Sequence, residues 1–239
     1  MSLRDINKKK VAVIVQARMG STRLPGKVLM DLTGKDTVLG YLLKRLAKCR
    51  RADKIIVATT TNVKDDALEK WLIGKGCLFF RGSESNCINR YYAAAKKFGI
   101  DIIVRITSDC PLVVPEIVDE MIKYYLDNDR QIDYLSNRQF TNFPEGLDTE
   151  IFTMKMLEDA LKYAVLKEEF EHINHYFLKR PSQYKIRYYN HTEGIDYSRF
   201  KLSIDSAEDI EKTRKLFAKK KLSLEFTFKN LLKVLKDEK

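Results

Sequence analysis

Three cations, two glycines and two hydroxyls crowd the stretch QARMGSTRLPGK at 16–27. Arg18, Arg23 and Lys27 supply positive charge, Ser21 and Thr22 supply hydroxyl donors, and Gly20 and Gly26 let backbone N–H groups approach a ligand. Pro25 stiffens the turn before Gly26. The set suits a polyphosphate, because one cation ~4 Å from a phosphate contributes up to about 4 kcal/mol at moderate effective dielectric, before desolvation is subtracted. It nearly spells a P-loop and fails it twice. Five residues rather than four separate Gly20 from Gly26-Lys27, and Val28 stands where the magnesium-binding hydroxyl belongs.

Metal ligands, if needed, must then come from elsewhere, and two aspartates are placed to serve. Asp109 in RITSDCPLV and Asp205 in KLSIDSAEDIE each close an apolar, strand-like run. Each has an ordinary alternative: Asp109 as a helix cap or surface ion pair, and Asp205 or Ser206 as the cap of the helix that follows. Beside a phosphate loop the two become candidates for Mg²⁺, which takes one or two carboxylates and completes its shell with phosphate and water. The pair His172 and His175 in EHINHYF lacks the spacing of a zinc peptidase and has no third ligand. Glu168, Glu169 and His172 are read either as a helix face lining an acceptor pocket or as plain packing. G-x-S-x-G and G-x-G-x-x-G are both absent.

The elements that must position these residues alternate. Apolar, β-branched runs at 10–17, 54–60, 77–82 and 101–109 read as strands, and helical spacing fills 37–49, 64–76, 86–99 and 114–128. That rhythm predicts an α/β fold with a mainly parallel sheet flanked by helices. In such a sheet ligands bind beyond the carboxyl ends of the strands, where the loop, Asp109 and Asp205 are all expected. After residue 130 the pattern changes. Strands are expected at 132–138, 146–152, 184–190 and 200–205, and helices at 153–165, 168–180, 206–220 and 226–237. The whole of 1–239 reads as one domain, with 136–190 as an excursion carrying acceptor choice and the place for a homodimer contact.

Composition narrows the class. The chain has 239 residues, 44% hydrophobic and 32% charged, enough to bury a sizeable core. No apolar run approaches the ~20 residues of a membrane span. Residues 1–10 are polar and the apolar run that follows is too short for a signal peptide, so a cytoplasmic protein without membrane insertion is expected. Four scattered cysteines with no C-x-x-C pair fit a reducing compartment. The net charge of +11 is spread over short clusters at 8–10, 48–51 and 219–221, without an arginine-rich arm, so nucleic acid is not the expected partner.

VAVIVQARMGSTRLPGKVL resembles the N-terminal signature of the cytidylyltransferases that activate acidic sugars. It is closer still to the subgroup named after spore coat polysaccharide biosynthesis protein F, which RGSESNCINRYYAAAKKFGIDIIVRITSDCPLVVPEIVD, FPEGLDTEIF, EEFEHINHYF and KLSIDSAEDIE also resemble. The resemblance implies a nucleotide-diphospho-sugar transferase fold, related to GT-A glycosyltransferases. It implies a Mg²⁺-dependent enzyme that joins CTP, or another nucleoside triphosphate, to a sugar and releases pyrophosphate. Carried over by residue, Arg18, Gly20, Ser21, Arg23 and Lys27 hold the triphosphate, and Asp109 and Asp205 bind magnesium. Ala58, Thr59 and Arg81 border base and ribose, and Arg18, Lys27 and Asp109 carry the catalysis. Glu145, Asp148 and His172, with Glu150 nearby, are acceptor candidates, and Arg138, Arg180 and Arg187 are cations available to a sugar carboxylate. Two positions depart from the pattern: Ser108 where glycine is common, and Asn86 where an acidic residue is usual. With metal on separate aspartates, a loop lacking the P-loop hydroxyl suits attack at the α-phosphorus. The alternative is a glycosyltransferase of GT-A-like fold, disfavoured because only Asp109 stands where an Asp-x-Asp pair would be.

Overall fold

The computed structural model describes residues 9–191, 195–218, 222 and 224–236. Its strands are β1 (Val11–Gln16), β2 (Lys54–Thr60), β3 (Phe79–Gly82), β4 (Ile102–Thr107), β5 (Tyr134–Ser136), β6 (Glu150–Thr153) and β7 (Ile186–Tyr188). They form one sheet in the order β3-β2-β1-β4-β6-β5-β7. β6 runs antiparallel to β4 and β5, and every other pairing is parallel. β1 is central and covered on both faces, which is why it reads as an unbroken apolar run. Val11, Val13 and Val15 face one core cluster, and Ala12 and Ile14 face the other.

The helices divide between these faces. α1 (Val38–Leu46), α2 (Asp66–Gly74), α4 (Pro115–Asp127), α8 (Ala207–Ala218) and α9 (Phe228–Lys236) pack on the first. α3 (Cys87–Phe98), α5 (Met154–Tyr163) and α7 (Ile173–Leu178) pack on the second. Sequence-coded caps set several boundaries. The Thr37 side chain accepts from Gly40 N, Asn86 accepts from Asn89 N, and Gly99 ends α3 at φ 65°.

Two expectations in the second half are corrected. The helix expected at 168–180 breaks at His172 (φ −126°, ψ 96°) into α6 (Lys167–Glu171) and α7. Buried Glu169 ties the two pieces together: its carboxylate accepts from Val165 N and Leu166 N at the start of α6 and pairs with Arg180, just beyond α7, at 2.6 Å. The strand expected at 200–205 is absent. That segment makes a single bridge, Lys201 to Glu145, and docks on the 145–147 turn instead. Gly146 makes the docking possible: at φ 97°, a Cβ there would lie 2.4 Å from Ser203 N. The basic cluster at 219–221 lies outside the described residues.

Candidate active site

The carboxyl ends of β1, β4 and β5 share one sheet edge with the amino end of antiparallel β6. A cleft of about 410 Å³ opens there, and Arg18, Ser21, Arg23, Lys27, Asp109, Glu145, Asp148, His172 and Asp205 all line it. Candidate residues from five separate segments thus meet in one cleft. Gly20 lies within the loop, with open space where a Cβ would sit.

The loop after β1 is anchored from behind. Met19 N donates to Asp65 Oδ1 at 2.6 Å, and Gly26 N donates to Met19 O at 2.9 Å. Gly26 takes φ 73°, a left-handed turn that aims Lys27 inward. The Lys27 side chain is 10% exposed, and its Nζ donates to Asp109 Oδ2 (3.0 Å), Asp205 Oδ1 (3.2 Å) and Ile204 O (2.6 Å). Arg23, on the surface, adds a 2.8 Å contact to Asp205 Oδ1. Arg18 makes no ion pair or hydrogen bond among the described residues, so its guanidinium is available to a ligand.

Asp205 is free to face the cleft because its neighbours cap α8. Asp209 N donates to Ser206 Oγ, while Asp209 Oδ2 accepts from Asp205 N and Ser206 N. Burial opposes the Asp209 charge, yet Lys201 and those N–H groups hold its carboxyl at about 2. Burial also opposes charge on Asp109, but the Lys27 ammonium and the Thr107 hydroxyl outweigh it and keep the carboxyl below its ordinary range. Asp109 and Asp205 therefore present oxygen ligands gathered around one point. Among the described residues no group of three or more His, Cys, Asp or Glu could hold a metal ion. A pair of carboxylates that leaves the remaining positions to phosphate and water fits Mg²⁺.

The far end of the cleft is built differently. Arg105 of β4 stands opposite Glu150 of β6 in the ladder, and the two form a buried ion pair to which the Tyr134 hydroxyl also donates. Burial works against the Arg105 charge, and Glu150 more than offsets it, raising its pKa. Glu145 is exposed and accepts from Ser203 Oγ at 2.6 Å. Among the described residues Asp148 has one side-chain ion pair, to Arg138 at 3.3 Å. Burial raises its carboxyl to about 6 against the pull of Arg138, with Glu150 and Glu145 adding to the rise. His172 sits at the α6–α7 break, its pKa lowered by burial and by His175.

Three sequence candidates are not brought to the cleft. Ala58 and Thr59 are fully buried in β2. Arg81 clamps the start of α2 through Asp66, Glu69 and the carbonyls of Thr60 and Asn62. A smaller cavity of about 200 Å³ beside the main cleft is lined instead by Gln16, Arg18, Glu84, Ser85, Cys87 and Arg90, with Lys167, Glu171 and His172. Sequence reasoning missed Gln16, Ser85, Arg90, Arg105 and Glu171. Gln16 and Arg105 carried a signal, the first as the polar last residue of an apolar strand and the second as a charge inside one. Asn86 caps α3, and Ser108, buried at the cleft wall, ties the β4 loop to β1 through its N–H to Gln16 O.

A family model described as Cytidylyltransferase matches residues 12–236. The Bacillus subtilis spore coat polysaccharide biosynthesis protein SpsF is 32% identical over 214 residues, 87% of each chain. A cytidylyltransferase from Leptospira borgpetersenii superposes with a TM-score of 0.90 at 38% identity, over 97% of this chain and 95% of that one. CMP:2-keto-3-deoxy-manno-octonic acid synthetase, solved in complex with CTP, superposes at 0.66 with 16% identity, over 89% and 100% of the chains; that likeness is one of fold.

Proposed function

The chain belongs to the cytidylyltransferase family and is a nucleotidyltransferase, and from that premise we propose that it transfers CMP from CTP to a sugar with Mg²⁺, releasing pyrophosphate. The observation that carries the reading is buried Lys27, which gathers Asp109 and Asp205 at the mouth of a cation-rich loop. In this reading the triphosphate lies along Arg18, Ser21, Arg23 and Lys27. The smaller cavity takes the base, with Gln16, Ser85 and Arg90 as its polar contacts. The sugar enters at the Asp148 end, and its oxygen attacks the α-phosphorus in line. Arg18, Arg23 and Lys27 stabilise charge on the departing pyrophosphate. Asp109 and Asp205 would hold Mg²⁺, which when bound neutralises phosphate charge.

The names of SpsF and of the CMP:2-keto-3-deoxy-manno-octonic acid synthetase support an acidic sugar, destined for surface polysaccharide. Of the three cations considered for its carboxylate, Arg180 is taken by Glu169 and Arg187 does not line the cleft; Arg138 does. Removing one charge-assisted hydrogen bond typically costs ~1.5–3 kcal/mol. Lys27→Ala and Asp109→Asn should therefore each cut pyrophosphate release at least tenfold while leaving the circular dichroism spectrum unchanged. Near-normal turnover in either purified variant overturns the assignment. Thermal shifts with CTP, UTP, GTP, ATP and dTTP, each with and without Mg²⁺, test the nucleotide. A magnesium-dependent shift for CTP alone is expected.

A further inference from the structure

The carboxylates of the PEGLDTE segment differ in how fully they are engaged. Glu150 is buried and held by both Arg105 and Tyr134. Glu145 is solvated and accepts the Ser203 hydroxyl. Asp148, with its side chain 16% exposed, has one long contact to Arg138, which is itself 44% exposed. The charged and titratable groups that act on Asp148 are Arg138 beyond β5, Glu145 and Glu150 on its own segment, and Cys110 on the loop after β4. Cys110 follows Asp109 directly, and after burial its thiol is pushed up by both Asp109 and Asp148. Asp148 lines the same cleft as Asp109 and Asp205.

We propose that Asp148 is the general base of the transfer. Its carboxylate takes the proton of the attacking sugar hydroxyl as the bond from that oxygen to the α-phosphorus forms. The bond from the α-phosphorus to the bridging oxygen breaks, and pyrophosphate leaves with the electron pair. This rests on the nucleotidyl-transfer reading above. A base works best when its pKa lies near the working pH. Burial sets the Asp148 carboxyl at about 6, despite Arg138, whereas Glu150 is fully buried and its charge is already committed to Arg105 and Tyr134.

The test follows pyrophosphate release by the full chain from CTP and Mg²⁺, with 2-keto-3-deoxy-manno-octonic acid as sugar probe and water as the slow reference acceptor. Asp148→Asn should lower kcat by about a hundredfold or more, the usual worth of a general base. The KM for CTP should stay within about twofold, since Asp148 is placed against the sugar and not the nucleotide. The wild-type rate should fall about tenfold per pH unit below the Asp148 pKa, and the variant's rate should be flat there. A variant that keeps the wild-type rate and profile overturns the proposal. So does His172→Gln, if it is the substitution that removes the acid limb. A ¹³C-aspartate titration needs no acceptor: the resonance missing from Asp148→Asn should titrate near 6, and titration in the ordinary carboxylate range near ~4 overturns the proposal. Failure of the nucleotide reading looks different, as an absent CTP–Mg²⁺ thermal shift in the wild type.

Discussion

At the loop end of the cleft one buried ammonium answers two carboxylates, while at the acceptor end a half-buried carboxyl is answered by one exposed guanidinium. The first arrangement lowers the pKa of Asp109 and the second raises that of Asp148. Their contributions to stability run in opposite directions with pH. Asp109 stabilises the fold above its unfolded pKa of about 3.9, and that contribution is lost as pH falls through its lower folded value. Asp148 imposes no cost below that unfolded pKa. Its cost grows as pH rises toward 6 and is complete above it. One end of the cleft is settled before any ligand arrives, and the other holds a carboxyl whose charge is disfavoured, at the expense of stability.

The most severe way to break this contrast is to make the acceptor end worse. Arg105→Met leaves Glu150 buried without its cation, and the urea midpoint should report a loss of about 3–5 kcal/mol. Adding Glu150→Gln should recover much of it, because no unpaired charge then remains. Asp148→Asn sharpens the contrast from the other side. The rise to about 6 corresponds to roughly 3 kcal/mol, so this variant should be more stable than wild type by up to that amount at pH 7. The gain should vanish by about pH 3, below the unfolded pKa, where the wild-type carboxyl is protonated in both states. The smallest effect belongs to the loop end. Ser206→Ala removes the cap of α8 and should cost about 1 kcal/mol in thermal unfolding, while turnover holds if Asp205 keeps its place on Lys27.

The same contrast separates what could be read in advance from what could not. Val11–Gln16 and Ile102–Thr107 are buried on both faces, so their apolar runs announced central strands, and residues just beyond them were legible as site residues. Lys27 and Asp109 were marked as candidates that way, whereas Asp205 was marked at the end of an expected strand that the structure replaces with a single bridge. The acceptor side gave weaker signals because its order comes from contacts distant in sequence. Leu202 and Ile204 alternate as a strand would, yet Gly146 admits that segment to a turn and not to the sheet edge. The break at His172 has no glycine or proline to mark it in the sequence. Arg81 was expected to border the ribose only because the family resemblance implied it, and the carboxylates of α2 reveal its structural task.

The Lys27 cluster also carries a timetable. Its ammonium reaches partners 177 and 178 residues further along the chain. At ribosomal rates of about 5–20 residues per second, roughly 10–35 s pass between the synthesis of that lysine and of Asp205. The early strands and helices can collapse well within that interval, but the Lys27 ammonium has only Asp109, 82 residues on, to answer it until the distant segment docks. The cleft is thus among the last features to mature, and a nascent chain that stops short of Asp205 carries the loop without its second carboxylate.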